Sequence, residues 1–351
     1  MPSENKGKPS LRILAMRFSA IGDVAMTIPV LYSLVRKYPQ YNITFLSNGR
    51  FAPLFRTMPE NFRFVGVDLK HRYKGIRGLN ILFRELHAEE FDMVADLHGV
   101  LRTSYLSMRF RIAGYRVAAI RKYRLSRFLL TTGKHNGLKP VRDPFSRYRD
   151  VFHRLGIDFG MDFRNLVPDT GLYRCDLNAV TEIAGIKSGY WIGIAPFATF
   201  KGKIYPAELM EKVIDILNSR GDCRLFIFAY GKEKETVSGW MSSYRSVVPI
   251  NGQLDMWQEL MLMKNLDAMI SMDSANMHLA SLAGVRVISV WGATHPAAGF
   301  LGYGQSASDC VQADIPCRPC SIYGKKECRY GDYRCMTSIP PESIVARLHL
   351  D

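Results

Sequence analysis

The segment that most constrains the fold is LDAMISMDSANMHLASLAGVRVISVWGATHP, Leu266–Pro296. Its first seven residues are mostly apolar, which predicts a buried strand over Leu266–Met272. The residues that follow are short and polar, as helix N-caps are: Asp273, Ser274 and Asn276. Gly284 is placed to end the helix, and Val285–Trp291 is a second apolar, β-branched run. The segment therefore predicts a strand, a helix and a parallel strand in succession.

The start of this helix is a candidate ligand site. Ligands of open parallel sheets collect at the carboxyl ends of the strands, and a helix N-terminus offers free N–H groups and a positive dipole. The stretch from Asp273 through Met277 and His278 would thus suit a diphosphate, with Asp273 accepting hydrogen bonds from hydroxyls or orienting His278. The alternative is an ordinary capped helix in which His278 belongs to the core.

Length and composition give the class of protein. A chain of 351 residues with 47% hydrophobic content is long enough for two domains with real cores. It contains no apolar run of about 18 residues and no N-terminal signal pattern, so we expect a cytoplasmic protein. The formal charge of +15 indicates an anionic partner: nucleic acid, a phosphorylated substrate or a membrane surface.

The front of the chain repeats the pattern of strand, turn and helix. A strand within Leu11–Ala20 leads to the turn Ile21-Gly22-Asp23, a helix over Val24–Tyr38 and a strand over Asn42–Ser47. The dinucleotide fingerprint G-x-G-x-x-G is absent. Since a carboxylate would repel a diphosphate, Asp23 is better suited to act as a base toward an acceptor hydroxyl. A helix N-cap is the simpler alternative.

The stretch from Arg102 to Arg149 supplies most of the positive charge. It holds 13 lysines and arginines and a single acidic residue, Asp143. Aromatic residues are interleaved with them: Tyr105, Phe110, Tyr115, Tyr123, Phe128, Phe145 and Tyr148. A basic surface with apolar groups suits a phosphorylated lipid or a peripheral membrane contact. Single-stranded nucleic acid and a solvated face with aromatics beneath it are the alternatives.

The second half is predicted to be another α/β domain. An irregular stretch over Val167–Gly189, including Asp169 and Gly171, suggests a domain boundary. Strands over Tyr190–Ala195 and Arg224–Tyr230, with the two above, alternate with helices. We therefore predict an α/β fold of two doubly wound domains, at residues 1–175 and 186–335, followed by a C-terminal helix at 336–351.

Two further groups of residues are candidates for chemistry. The loop after Tyr190–Ala195 carries Thr199, Lys201 and Lys203, which would neutralise a leaving diphosphate, although loop lysines are usually just solvated. Near the C-terminus four cysteines fall within nineteen residues: Cys317, Cys320, Cys328 and Cys335. They suggest a structural zinc site, with reduced, partly buried thiols as the alternative.

Several segments together resemble the lipopolysaccharide heptosyltransferases, a group of GT-B-type glycosyltransferases. They are RFSAIGDVAMTIPVL, DLHGVLRT, KGKIYP, the Asp273–His278 segment with WGATHP, and the cysteine tail, in this order. The resemblance implies two Rossmann-like domains facing across a cleft. It also implies inverting transfer of heptose from ADP-heptose to the lipopolysaccharide inner core, without a catalytic metal.

The resemblance also implies roles for individual residues. Asp23 matches the proposed general base, with Gly22 beside it and Arg102 of DLHGVLRT at the substrate. Lys203 matches the lysine that stabilises the leaving ADP, with Lys201 and Thr199 nearby. The nucleotide-sugar would be held by Asp273, Ser274, Asn276, Met277 and His278, and its ribose by Glu233 or Glu235. The family often has glycine where this chain has Ala275, which disfavours a positive φ.

The implied partners are the ADP-heptose donor, a phosphorylated lipid A–Kdo acceptor and the inner-membrane surface, with the protein peripheral to it. No nucleic acid is expected. Transfer of another nucleotide-sugar, or non-catalytic binding to polyanions or membranes, remains open on the sequence alone.

Overall fold

The computed structural model describes residues 10–132, 140–168, 174–250 and 252–351. Contacts divide the chain into two compact units: the first joins the described residues up to Lys122 with Pro144–Arg164, and the second joins Tyr123–Asp143 with Asn165–Asp351. The predicted irregular stretch at Asp169 and Gly171 and the N-terminus before Ser10 lie outside the described residues. The domain limits at 175, 186 and 336 stay a prediction.

The first unit contains a five-stranded parallel sheet in the order β3-β2-β1-β4-β5. Its strands are β1 (Arg12–Met16), β2 (Asn42–Asn48), β3 (Phe62–Val67), β4 (Met93–Asp96) and β5 (Arg116–Ala119). The helices up to residue 154 are α1 (Ile21–Ala25), α2 (Ile28–Lys37), α3 (Gly75–His87), α4 (Leu101–Ile112), α5 (Arg124–Leu130) and α6 (Pro144–Arg154), of which α5 belongs to the second unit.

One prediction for this unit is corrected in detail. The helix expected over Val24–Tyr38 is two helices, α1 and α2, separated at Met26 and Thr27. Pro29 is the reason, because it has no N–H to donate and is accommodated only in the first turn of α2. The break leaves α1 as a short turn of helix at the end of β1, and this turn carries Asp23.

The second unit contains a six-stranded parallel sheet in the order β8-β7-β6-β9-β10-β11. Its strands are β6 (Tyr190–Ala195), β7 (Cys223–Ile227), β8 (Val247–Pro249), β9 (Ala268–Met272), β10 (Val287–Trp291) and β11 (Cys310–Gln312). Its further helices are α7 (Arg174–Ala184), α8 (Ala207–Ser219), α9 (Lys234–Ser243), α10 (Met256–Lys264), α11 (Ala275–Ala283), α12 (Arg334–Thr337) and α13 (Pro341–Ala346).

The strand, helix, strand unit predicted from Leu266 to Trp291 is confirmed as β9, α11 and β10. Both strands are fully buried, and Gly284 ends α11 in the left-handed conformation at φ 80°. The C-terminal segment packs on the same core, where the Tyr205 hydroxyl donates to the carbonyl of Ile339 at 2.6 Å. None of the helices in the described ranges is long and apolar enough to cross a membrane.

Both sheets have the strand order of doubly wound α/β folds, so each has one point where the chain reverses its direction across the sheet. In the first unit this switch point lies between β1 and β4, and in the second between β6 and β9. Loops that leave neighbouring strands there diverge, and they leave a crevice at the carboxyl edge. The predicted α/β fold of two parallel sheets is confirmed.

Candidate functional site

A buried ion pair lies at the switch point of the second unit. The ammonium of Lys203, in a 3₁₀ turn after β6, is 3.0 Å from Oδ2 of Asp273, which follows β9. The lysine side chain is 16% exposed and the aspartate side chain 5%. Because a lysine ammonium has three N–H donors, the pair leaves two of them for a ligand in the crevice. Asp273 thus fixes the position of the Lys203 ammonium.

The N-terminus of α11 lies next to this pair. Ser274 is the N-cap residue, but its side chain makes no capping hydrogen bond, so the first-turn N–H groups are left without that acceptor. Ser274 and Asn276 are partly exposed, whereas Met277 and His278 are buried. Ala275 is the first helical residue and is not among those with positive φ, so this backbone path does not need glycine. The arrangement suits an anion.

The loop after β10 completes the surroundings of Asp273. The hydroxyl of Thr294, itself fully buried, donates to Oδ2 of Asp273 at 2.8 Å. The guanidinium of Arg318, 7% exposed, donates to the carbonyls of Gly292 at 2.7 Å and Thr294 at 2.9 Å. Arg318 thereby fixes the loop that holds Thr294. The motif WGATHP contains Thr294 but predicts no role for it, and no sequence signal singles out Arg318.

The segment that carries the four cysteines, residues 317–335, also supports the lysine loop. The Tyr333 ring lies 4.9 Å from the Lys201 ammonium, a cation–π contact. Gly324 has φ 76°, and a Cβ there would approach Cδ of Lys203 to 2.5 Å, so only glycine fits against the lysine stem. Thr199 and Lys201 are exposed on the same loop.

The cysteines themselves line one cavity of about 390 Å³ together with Arg318 and Tyr333. Burial raises the pKa of the Cys320 thiol and raises that of Cys335 to about 11. Over the described ranges, which include all four cysteines, no three His, Cys, Asp or Glu side chains are grouped so as to hold a metal ion. The four cysteines share a cavity, but as placed they do not fit the predicted zinc site.

The end of β7 carries the candidate ribose carboxylate. Oε2 of Glu233 accepts from the Tyr230 N–H at 3.0 Å, while the Tyr230 hydroxyl donates to Oε2 of Glu259 on α10 at 2.6 Å. Glu259 is 5% exposed, and this burial raises its pKa to about 7. Tyr230 thus links the loop of Glu233 to a buried carboxyl group. No sequence pattern predicts this group. Glu235 is exposed in the first turn of α9.

The first unit has a similar pair at its own switch point. The Arg17 guanidinium, after β1, lies 2.8 Å from Oδ2 of Asp23 and donates to the carbonyl of Leu97, after β4, at 2.7 Å. The Arg17 side chain is 8% exposed and the Asp23 side chain 36%. Arg17 therefore bridges both loops and positions an accessible carboxylate. Gly22 precedes Asp23 in α1 and is partly exposed.

His98 extends this group. Its Nδ1 accepts from the N–H of Phe18 at 3.4 Å, and burial, together with the charge of Arg17, lowers its pKa to about 4. The imidazole is therefore neutral at physiological pH. Asp96, fully buried, accepts from the N–H groups of His98 and Gly99 and shapes the loop. Arg102 is exposed in the first turn of α4, and its charge also acts on His98.

Two parallel α/β units, one with an ammonium and an open helix N-terminus at its switch point, have the architecture of GT-B glycosyltransferases. The family model of glycosyltransferase family 9 (heptosyltransferase) matches residues 80–333. The chain belongs to this family and is a glycosyltransferase.

The chain is also similar in sequence and structure to known glycosyltransferases. Lipopolysaccharide heptosyltransferase 1 of Pseudomonas aeruginosa is 24% identical over 339 residues, covering 91% of this chain and 88% of that protein. The crystal structure of a family 9 glycosyltransferase from Veillonella parvula superposes with a TM-score of 0.74 at 20% identity, covering 98% of each chain. The Escherichia coli heptosyltransferase WaaC with ADP-2-deoxy-2-fluoro heptose gives 0.61 at 17% identity, covering 90% and 97%.

The buried Glu259 leads to a prediction about stability. Its pKa rises from 4.5 in an unfolded chain to about 7, so its burial costs nothing below pH 4.5. The free energy of unfolding then falls as the pH rises from about 4.5 to 7 and is constant above that range. Glu259→Gln keeps an acceptor for Tyr230 and removes the ionisation. Relative to wild type, the variant should gain on the order of 3 kcal/mol between pH 4.5 and 8.

Urea unfolding of both proteins at several pH values measures this difference. Glu182→Gln, on the exposed face of α7 in the same unit, is the control and should show no such trend. A difference between Glu259→Gln and wild type that stays constant with pH would contradict the prediction.

Proposed function

We propose that this chain transfers heptose from ADP-heptose to a phosphorylated lipid A–Kdo acceptor of the lipopolysaccharide inner core, with inversion at the anomeric carbon. The observation that carries the proposal is the Lys203–Asp273 pair beside the uncapped start of α11, which is suited to a departing diphosphate. The names of the relatives support heptose as the sugar and lipopolysaccharide as the product, and the ligand of WaaC supports ADP as the leaving group.

In this proposal the second unit binds the donor. The two remaining N–H donors of Lys203 and the first-turn N–H groups of α11 hold the diphosphate, with Lys201 and Thr199 at the rim. Glu233 accepts hydrogen bonds from the ribose hydroxyls. As the bond between the anomeric carbon and the diphosphate breaks, negative charge grows on the leaving oxygen, where preorganised donors lower the barrier most.

The first unit supplies the base. The acceptor hydroxyl oxygen attacks the anomeric carbon while its proton passes to the carboxylate of Asp23, and ADP departs with the electron pair of the broken bond. One displacement of this kind inverts the anomeric centre. Arg17 holds the carboxylate in place, and neutral His98 adds a hydrogen-bonding group beside it. Arg102 is suited to a phosphate on the acceptor.

We further propose that the enzyme works at the cytoplasmic face of the inner membrane, where a lipid-linked acceptor is available. The formal charge of +15 supports attraction to an anionic surface. No step of this mechanism is assigned to a metal.

A nucleotide panel tests the proposal. ADP at a hundred times its Kd should stabilise the folded protein by about 2.7 kcal/mol, seen as a raised Tm, and the same concentrations of UDP or GDP should do much less. Stabilisation by UDP instead would indicate another nucleotide-sugar. Equal effects of all polyanions, inorganic triphosphate included, would indicate a non-catalytic binding protein.

The ion pair generates a second prediction. Lys203→Met should lower kcat by about 10²–10³, because the leaving diphosphate loses a positive charge. It should also cost about 3 kcal/mol of stability, because Asp273 is left buried and unpaired. The double variant Lys203→Met/Asp273→Asn should regain most of this stability but none of the turnover, as measured by urea unfolding and steady-state kinetics.

Lys212→Met on the exposed side of α8 is the matched control and should change neither quantity. Recovery of turnover in the double variant would show that Lys203 acts only by neutralising Asp273, and would remove it from the reaction.

Asp23 generates the third prediction for the reaction. Asp23→Asn keeps the shape and an acceptor for Arg17 but cannot take up the proton, so kcat should fall by about 10²–10⁴ while stabilisation by ADP stays as in wild type. Glu60→Gln, an exposed carboxylate of the same unit, is the control for kcat and Tm. Transfer within tenfold of wild type would rule out Asp23 as the base.

A further inference from the structure

The outer side of α4 in the first unit is apolar although it faces solvent. Leu101, Met108 and Ile112 are 91%, 46% and 76% exposed. They lie seven and four residues apart, so they align along one side of the helix over about 16 Å. We call these three residues the α4 stripe. Scattered exposed apolar residues are normal, but three on the same side of one helix form a local apolar surface.

Arginines border the α4 stripe on both sides. At 100° per residue, Arg102 and Arg109 lie to one side of it and Arg111 to the other. Arg109 is held by Asn80 of α3 and lies over the Phe83 ring, with its guanidinium carbon 4.4 Å from the ring centre. The sequence of α4, LRTSYLSMRFRI, contains no acidic residue. Exposed apolar side chains between cationic borders suit the interface of an anionic bilayer, where acyl chains cover the apolar groups and the headgroups attract the arginines.

The buried residues argue against nucleic acid as the occupant. Binding of single strands depends on exposed aromatic rings that stack on bases. Phe110 of α4 is fully buried and Tyr148 is 1% exposed, so two of the aromatics expected at this surface pack inward. Phe128 is 64% exposed, but it lies on α5 of the second unit. On α4 the exposed apolar side chains are those of Leu101, Met108 and Ile112, which suit acyl chains rather than bases.

We propose that the α4 stripe and its flanking arginines dock the first unit onto an anionic lipid surface. The inference deepens the proposed membrane location by naming the docking face, and it rests on the proposed function only for its biological setting. Since α4 follows β4, Leu101 lies at the sheet edge that also carries His98 and Asp23. Insertion of Leu101 would bring this edge to the lipid, where a lipid-linked acceptor presents its sugars.

Vesicle sedimentation of the full chain tests the proposal. Wild type should bind vesicles of phosphatidylcholine with about one third phosphatidylglycerol far better than vesicles of phosphatidylcholine alone, and high salt should weaken this binding. The variant Leu101→Gln/Met108→Gln/Ile112→Gln should bind about a hundredfold more weakly, because three apolar side chains no longer enter the interface. Its Tm should stay as in wild type, because these side chains are exposed.

Ile186→Gln is the matched control, since Ile186 is 89% exposed in the second unit and should not affect vesicle binding. Equal sedimentation of the triple variant and wild type would overturn the proposal. An equal loss of vesicle binding in Ile186→Gln would also overturn it. The same holds if wild type forms a dimer that the triple variant abolishes, or if it binds single-stranded RNA through the α4 stripe.

Turnover with a delipidated acceptor is measured in parallel. If wild type shows no turnover, this result would count against the proposed transferase reaction but would not affect the conclusion on membrane docking.

Discussion

The largely buried ion pair between Lys203 and Asp273 is the interaction on which the site of the second unit depends. An ion pair with side-chain exposures of 16% and 5% loses hydration, and it is tolerated only where further hydrogen bonds and fixed geometry compensate. Thr294 supplies the additional bond to the carboxylate. The segment 317–335 supplies the geometry, through Arg318 on the loop of Thr294 and Gly324 against the lysine stem. The cysteine-bearing segment is therefore explained as a support of the site even without a metal.

In both units an aspartate near the switch point is paired with a cationic side chain, but the two aspartates differ in exposure. Lys203 in the second unit reaches across the switch point to Asp273, whereas Arg17 in the first unit pairs with Asp23 on its own side and reaches across only to the carbonyl of Leu97. Asp23 is 36% exposed, whereas Asp273 is 5% exposed and bonded to Thr294. An accessible carboxylate can meet a substrate hydroxyl, but an enclosed one can only position its cation. The difference in exposure thus supports the proposal that the base lies in the first unit and the electrostatic role in the second.

The sequence predicted those parts of the fold that local signals determine. The strands β6, β9 and β10 are apolar runs, and Gly284 ends α11, so their limits were close to those observed. Short strands such as β8 and β11, of three residues each, have too little pattern to be noticed. Partners distant in sequence were also missed. Nothing in the composition of α10 shows that Glu259 points inward to meet Tyr230, or that Arg318 reaches back to Gly292.

The basic stretch from Arg102 onward shows most clearly what composition cannot determine. Thirteen basic residues and several aromatics predicted a surface both charged and apolar, and the aromatics were expected to form it. Which side chains reach solvent depends on helix phase, because a residue on α4 faces the sheet or the solvent according to its position in the turn. Phe110 lies on the inner side, and Leu101 and Ile112 on the outer. Charge indicates the kind of partner, and only the helix face identifies the side chains that would touch it.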